Sequence, residues 1–298
     1  MDLISVVIIT YKRPLRVLSR AIQSVLTQTY KNLELIIVND APDEEALVKE
    51  ISDYLQQIND SRVKYVVHEK NGGANRARNT GLSHASGKYI AYLDDDDEWL
   101  PEKLSIQKKE FEKNPKLGIV YAGFYIRNEE GLDVRKDTII PRTSYLRALV
   151  EDNYIGSTSF PLLLTEAVKK VGGFDVNQKS CQEYELWIRI AQQYEIVGIK
   201  DLVGIYYVSK DSTFKGNYDS YLAGDCAILE KYEQMFKKYP IEHSNHLLRM
   251  YLYMLNKKQI KKALYFKGRA IKACWYNVNN LSIVYGIRRI IKKFNGVK

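Results

Sequence analysis

The sequence predicts an α/β fold: a mostly parallel, Rossmann-like sheet with helices on both faces, followed by a helical C-terminal region. Three observations carry this. Apolar strand-like runs alternate with amphipathic stretches over the first 115 residues. Polar and acidic residues gather where those runs end. Basic charge is concentrated in the last 42 residues.

Residues 4–10 are a mostly β-branched apolar run, the pattern of a strand buried on both faces. In residues 15–28, Leu15, Leu18, Ile22, Val25 and Leu26 share one helical stripe. Residues 33–38 form a second buried run that ends in Asn39-Asp40. Residues 43–57 read as a helix with acids at its start. A third strand spans 63–67, a short helix 74–85 follows Gly72-Gly73, and a fourth strand, 89–93, runs into four aspartates. This alternation implies right-handed βαβ crossovers and a parallel sheet, whose ligands bind beyond the carboxyl ends of the strands. Thr10-Tyr11, Asn39-Asp40, residues 68–71 and Asp94 to Asp97 all fall at such ends. Past residue 115 the alternation loosens. Residues 182–193 form an amphipathic helix burying Leu186, Trp187 and Ile190, and residues 217–298 read as wholly helical. The expected division is therefore 1–215, with halves 1–115 and 116–215, and a basic region 216–298.

Composition bounds the function. With 45% hydrophobic and 27% charged residues the chain can bury a large core. Its three cysteines are far apart and match neither a zinc site nor a disulfide framework. The start lacks a basic segment followed by a long apolar stretch, so no secretory signal is expected. No run approaches ~18 apolar residues. A cytoplasmic location follows, with peripheral contact at the inner face of the plasma membrane through the tail. The net charge is +9, yet residues 257–298 alone carry +12 and the first 256 carry −3. The basic character belongs to the tail and not to the body, and such a tail can meet nucleic acid or an anionic membrane surface; no nucleic-acid partner is expected. In 276–298, apolar residues such as Ile283, Tyr285 and Ile287 interleave with Lys and Arg, which suits an interfacial helix; 217–275 suits a packed bundle with a solvated basic face.

Asp94-Asp95-Asp96-Asp97 is the strongest chemical signal. Four adjacent carboxylates in a folded site need compensating charge. A hard divalent cation supplies it, since Mg²⁺ or Mn²⁺ binds one or two carboxylates together with phosphate oxygens. The plain alternative is a solvated acidic turn before a helix. Asp40, at the neighbouring strand end, can accept a hydrogen bond from a base N–H, or can serve as a helix cap or Asx turn. Asn71-Gly72-Gly73 opens the helix carrying Arg76 and Arg78, and glycines, a helix N-terminus and arginines all favour phosphate oxygens. Glu183, in the first turn of the 182–193 helix, is either a dipole-stabilised helix-end residue or a general base.

These residues form a pattern. Val7-Ile8-Ile9-Thr10-Tyr11-Lys12-Arg13-Pro14, Ile36-Ile37-Val38-Asn39-Asp40, Ala77-Arg78-Asn79, Tyr92-Leu93-Asp94-Asp95-Asp96-Asp97, Val171-Gly172-Gly173-Phe174-Asp175 and Gln182-Glu183-Tyr184-Glu185-Leu186-Trp187 occur in order. The stretch from Ser5 to about Val208 resembles the family 2 glycosyltransferases of GT-A fold, of the kind that assemble bacterial surface polysaccharides. The resemblance implies nucleotide-sugar binding in 1–115 and an acceptor side in 116–215. It implies that Thr10, Tyr11, Arg13, Asp40, Asn71, Arg78, Asp94 and Asp95 bind a nucleoside diphosphate sugar, with UDP expected. Asp96 would hold Mn²⁺ or Mg²⁺, and Glu183 would be the catalytic base. The acceptor would be a saccharide, free or polyprenyl-linked. Departures include Glu183 where Asp is usual, and Gln182 and Asn39 where acids are common. A sugar-phosphate nucleotidyltransferase and a non-catalytic binding protein of the same fold are the rival readings. The first conflicts with Thr10 to Pro14 standing where those enzymes carry a glycine-rich loop, the second with the intact carboxylates.

Overall fold

The computed structural model describes residues 2–208 and 218–275. The elements run β1 (Ile4–Thr10), α1 (Leu15–Leu26), β2 (Leu33–Asn39), α2 (Glu45–Ile58), β3 (Val63–Val67), α3 (Ala74–His84), β4 (Tyr89–Asp94), β5 (Glu98–Trp99), α4 (Lys103–Lys113), β6 (Leu117–Arg127) and β7 (Asp133–Lys136). Then follow α5 (Tyr145–Glu151), β8 (Leu162–Leu164), α6 (Thr165–Lys170), α7 (Gln182–Ala191), β9 (Glu195–Tyr207), α8 (Tyr218–Lys231), α9 (Glu233–Lys237), α10 (Pro240–Asn256) and α11 (Ile260–Ala273).

The main sheet has the order β3-β2-β1-β4-β8-β6-β9-β5, with β7 on β6. Its first four strands are parallel, as the βαβ pattern requires. The register sets Thr10 opposite Asn39 and Ile9 opposite both Val38 and Asp94, so three strand ends form one rim. β1 is buried along almost its whole length, which explains its β-branched sequence. The second half of the sheet is mixed. β8 pairs antiparallel with β4 and β6, and β9 pairs parallel with β6 through shifts in register. Those irregular partners are why the sequence shows no clean alternation there.

Two compact units emerge. One contains residues up to Ile140 together with Ile155–Asp225; the other contains Pro141–Tyr154 and the residues from Cys226 on. The expected boundary at 215 thus lies near 225, and α5 joins the C-terminal unit, in which α10 packs on α5, α9 and α11. The tail 276–298 lies outside the described residues. No helix among the described residues is long and apolar enough to cross a membrane.

Two packing details fix the catalytic-side helices. Lys103 at the start of α4 is fully buried, donates to Gln107 Oε1 at 2.7 Å and lies 4.1 Å from the centre of the Trp99 ring. Burial pushes its amine well below the ordinary lysine range. On the other face α3 crosses β1 at Gly81, where an added Cβ would overlap the Val7 side chain. Gly81→Ala is expected to cost 1–3 kcal/mol by overpacking, roughly the range for an added methyl in a full core. Urea unfolding at neutral pH measures this, and an unchanged midpoint would show that α3 stands further from the sheet.

Candidate active site

The four aspartates leave β4 in a tight turn, closed by Asp97 N–H donating to the Asp94 carbonyl at 3.1 Å. Each meets a different environment. Asp94 accepts Arg78 Nη2 at 3.0 Å and faces the Thr158 hydroxyl at 3.3 Å. Asp95 is buried and accepts Arg13 Nε at 2.8 Å, while Arg13 Nη2 donates to Asp96 at 2.9 Å. The Asp96 carbonyl accepts Arg20 Nη2 at 2.6 Å, and the Arg20 guanidinium stacks 3.5 Å from the centre of the Tyr207 ring. Asp97 is fully buried, taking hydrogen bonds from Ser159 Oγ at 2.5 Å and Tyr207 N–H at 3.3 Å.

The electrostatics follow. Burial pushes Asp95 up to about 6, against the pull of Arg13 and the Thr10 hydroxyl. Burial likewise raises Asp96, with Asp94 repelling it. Asp97 goes well above the usual carboxylate range through burial and then through Asp94. Compensating charge from within the protein comes from Arg13, Arg20 and Arg78. Among the described residues no three Asp, Glu, His or Cys groups gather as a protein-only metal site. The fit is to a small hard cation that takes one or two carboxylates and keeps its other positions for phosphate and water oxygens. The side chains of Asp96 and Asp94, 39% and 31% exposed, offer oxygens for it.

The β2 end of the rim is held by Asp40. Its buried carboxylate accepts the N–H groups of Gly72 and Gly73, both at 2.7 Å, and pairs with His68 Nδ1 at 2.7 Å. Asn71 Nδ2 reaches its carboxylate at 3.1 Å and its carbonyl at 3.0 Å. His68 Nε2 continues to Thr80 Oγ1 at 2.9 Å. Asp40 and Asn71, both expected at the ligand, therefore grip each other and shape the entry to α3. His68, unremarkable in the sequence, is part of that grip. Thr10 is buried at the end of β1, and Tyr11 beside it is 53% exposed, with the Lys12 ammonium 5.6 Å from the centre of its ring.

Helix α3 also locks the far side. Asn79 exchanges two hydrogen bonds of 2.8 Å with the backbone of Phe174. Asn75 Nδ2 donates to the carbonyls of Asp175 and Gln178. Gly173, with φ +71°, sits so close that a Cβ would lie 2.5 Å from Asn79 Oδ1. This fixes the segment leading into α7. Arg78 completes the link by donating to Gln182 Oε1 at 2.9 Å as well as to Asp94. Glu183, the next residue, is half-buried in the first turn of α7. The Tyr206 phenol is pushed up by burial, then by Asp97, Asp94, Asp96 and Glu183. Glu185 is different: it is fully buried and bidentate to Arg189, at 2.6–3.0 Å. Asp175 Oδ1 accepts the Asn177 N–H at 2.9 Å in a local turn.

Sequence reasoning missed Arg20, Thr158, Ser159, Gln182 as a partner, and the two tyrosines of β9. Gln182 lies in a motif that gives no hint of its partner; the others carry no motif signal, because their roles arise only when distant segments close over the turn.

A mixed sheet with this order, an acidic turn after β4 and a helical C-terminal region define a glycosyltransferase of GT-A type. The chain belongs to glycosyl transferase family 2, whose family model matches residues 5–172. It is 32% identical over 218 residues to WfaP of Escherichia coli, a UDP-Glc:alpha-D-GlcNAc-diphosphoundecaprenol beta-1,3-glucosyltransferase, covering 70% of this chain and 77% of that one. It is 31% identical over 197 residues to WfgD of Escherichia coli, which bears the same description, covering 66% and 73%. Among solved structures, TarS 1-349 of S. aureus in complex with UDP-GlcNAc has a similar fold, with a TM-score of 0.66 at 16% identity over 92% of this chain and 81% of that one.

Asp95 yields a pH prediction. Its folded pKa of about 6 exceeds the ordinary 3.8, so the folded state holds the proton more tightly. Stability relative to Asp95→Asn should therefore fall as pH rises from about 4 through 6, by up to ~3 kcal/mol, and be flat above that. Chemical unfolding of both proteins without divalent ions tests this. A gap independent of pH would mean Asp95 titrates normally.

Proposed function

We propose that the chain transfers a sugar from a UDP-linked donor to a hydroxyl of a saccharide carried on a polyprenyl diphosphate, with inversion at the anomeric carbon. The observation that carries this is the Arg78 bridge from Asp94 to Gln182, because it ties the acidic turn after β4 to the start of α7, the turn of helix that carries Glu183. The donor and acceptor classes are supported by the descriptions of the two Escherichia coli relatives, and the donor class also by the TarS complex.

In this reading Tyr11 stacks on the base and Asp40 accepts the base N–H. Four donors already satisfy the Asp40 carboxylate, so one must yield. Asn71 is the one that keeps a partner if it does, through the Asp40 carbonyl at 3.0 Å. Arg13 and Arg78 lie where they can turn from the aspartates toward the diphosphate and offset its charge. Asp96, with Asp94, would hold Mn²⁺ or Mg²⁺, which when bound adds positive charge against the leaving diphosphate. Glu183 takes the proton from the acceptor hydroxyl as its oxygen bonds to the anomeric carbon. The bond from that carbon to the diphosphate oxygen breaks on the opposite side, which inverts configuration.

Removing divalent ions with excess EDTA should abolish transfer, and Mn²⁺ or Mg²⁺ should restore it. With metal present, calorimetry should show UDP binding more tightly than GDP. Full activity in EDTA rules out the metal role, and tighter GDP binding rules out the assignment at Asp40.

Glu183→Gln keeps shape and hydrogen bonding but cannot take the proton. Transfer should drop by roughly 10²–10⁴, the usual scale for losing a general base, with UDP affinity almost unchanged. Glu183→Asp should retain part of the activity. Near-normal transfer by Glu183→Gln would remove it from the mechanism. Glu185, locked to Arg189, is then a poor substitute.

A further inference from the structure

Helix α11 has two faces that the C-terminal unit does not bury. Successive helical residues turn by ~100°, so positions along the helix can be sorted by side. Ala263, Phe266 and Ala270 are buried and lie together on one side. Ile260, Leu264 and Ile271 fall within a sector of about 40° beside it, and they are 54%, 58% and 42% exposed. Trp275, two residues beyond the helix, is 73% exposed. On the next side Lys261, Lys262, Arg269 and Lys272 gather with Tyr265, which is 59% exposed. Lys267 flanks the apolar stripe on its other edge. From Lys257 to Trp275 there are seven Lys or Arg and no Asp or Glu.

This arrangement differs from the solvated basic face the sequence suggested for the bundle. A solvated face would be polar throughout, whereas here exposed Ile and Leu side chains stand in a row with cations on both sides, and an exposed Trp follows just past the helix. We infer that the outer face of α11 is a docking surface for an anionic lipid bilayer. The apolar row enters the boundary between headgroups and acyl chains, and the flanking Lys and Arg meet lipid phosphates. Charge complementarity selects this occupant: an aqueous protein partner would have to match an apolar row and seven cations without a single acid on this stretch to orient it. The inference is independent of the glycosyl-transfer reading, and it assigns the contact to α11, inside the described residues, and not to 276–298.

Trp275 makes the test direct, because Trp99 and Trp187 are 2% and 0% exposed and their emission reports the core. The full chain is titrated with vesicles of phosphatidylglycerol and phosphatidylethanolamine, and separately with phosphatidylcholine alone. Emission should shift to the blue only with the anionic vesicles, and the shift should shrink as salt is raised. The double variant Leu264→Glu, Ile271→Glu should lose about tenfold or more in vesicle partitioning while keeping the wild-type thermal melt. Lys261→Glu with Lys272→Glu should lose about thirtyfold or more, since two cations near the surface are removed and two acids take their place. Three outcomes overturn the inference. The emission fails to move with anionic vesicles. The Leu264/Ile271 variant binds as well as wild type, which hands the contact to residues beyond 275. The protein sediments as a dimer that this variant dissociates, which makes a second copy the occupant.

Discussion

The site depends on the pairing of one acidic turn with three arginines, two of them within helices. Four carboxylates in sequence cannot be folded against a sheet end unless cations approach from several sides. Arg13 just before α1, Arg20 within it and Arg78 in α3 do this, each toward a different atom of the turn. Because the arginines are anchored in or beside helices, neutralising the turn also fixes where α1 and α3 stand over the strand ends. The aspartates are thereby sorted. Asp97 is withdrawn into the core against Ser159 and Tyr207, Asp95 is buried against Arg13, and Asp94 and Asp96 keep exposed oxygens. One run of identical residues acquires a structural member, an electrostatic member and two accessible ones.

Much of this was legible in the sequence, for reasons tied to particular residues. The β-branched runs at 4–10 and 33–38 announce doubly buried parallel strands, and parallel strands carry their ligands at one end. That alone placed Thr10, Asp40 and Asp94 together. The partners were not legible. Arg20 occupies an ordinary polar position of an amphipathic helix, and nothing near it marks Tyr207, 187 residues later in the chain. Thr158 and Ser159 sit in a loop whose destination is set by the short antiparallel strand β8. Asp97 reads like its three neighbours until β9 closes above it. Short-range pattern reports burial and strand ends well; it does not report which distant side chain fills the remaining lone pair.

The motif residues turn out to be partners of one another more than separate contributors. Asn79 of the Ala-Arg-Asn run clasps the backbone of Phe174 in the Gly-Gly-Phe-Asp run, and Gly173 is needed because Asn79 occupies the space of its missing side chain. Asp40 clasps Gly72 and Gly73 in the same manner. Both clasps satisfy buried polar groups from within the protein, so the rim is shaped before any ligand arrives. Binding to such a rim spends less on ordering loops than binding to an unformed one.

The buried amine of Lys103 has a use of a different kind. Burial shifts it well below the ordinary lysine range, toward the neutral and nucleophilic form, yet no reagent can reach it while α4 stays docked on the sheet. Acylating reagents will modify the surface lysines at once and Lys103 only in the moments when α4 lifts away. The rate of its labelling is therefore a clock for local opening of that layer, read by mass spectrometry at a single residue and under conditions where the protein as a whole remains folded.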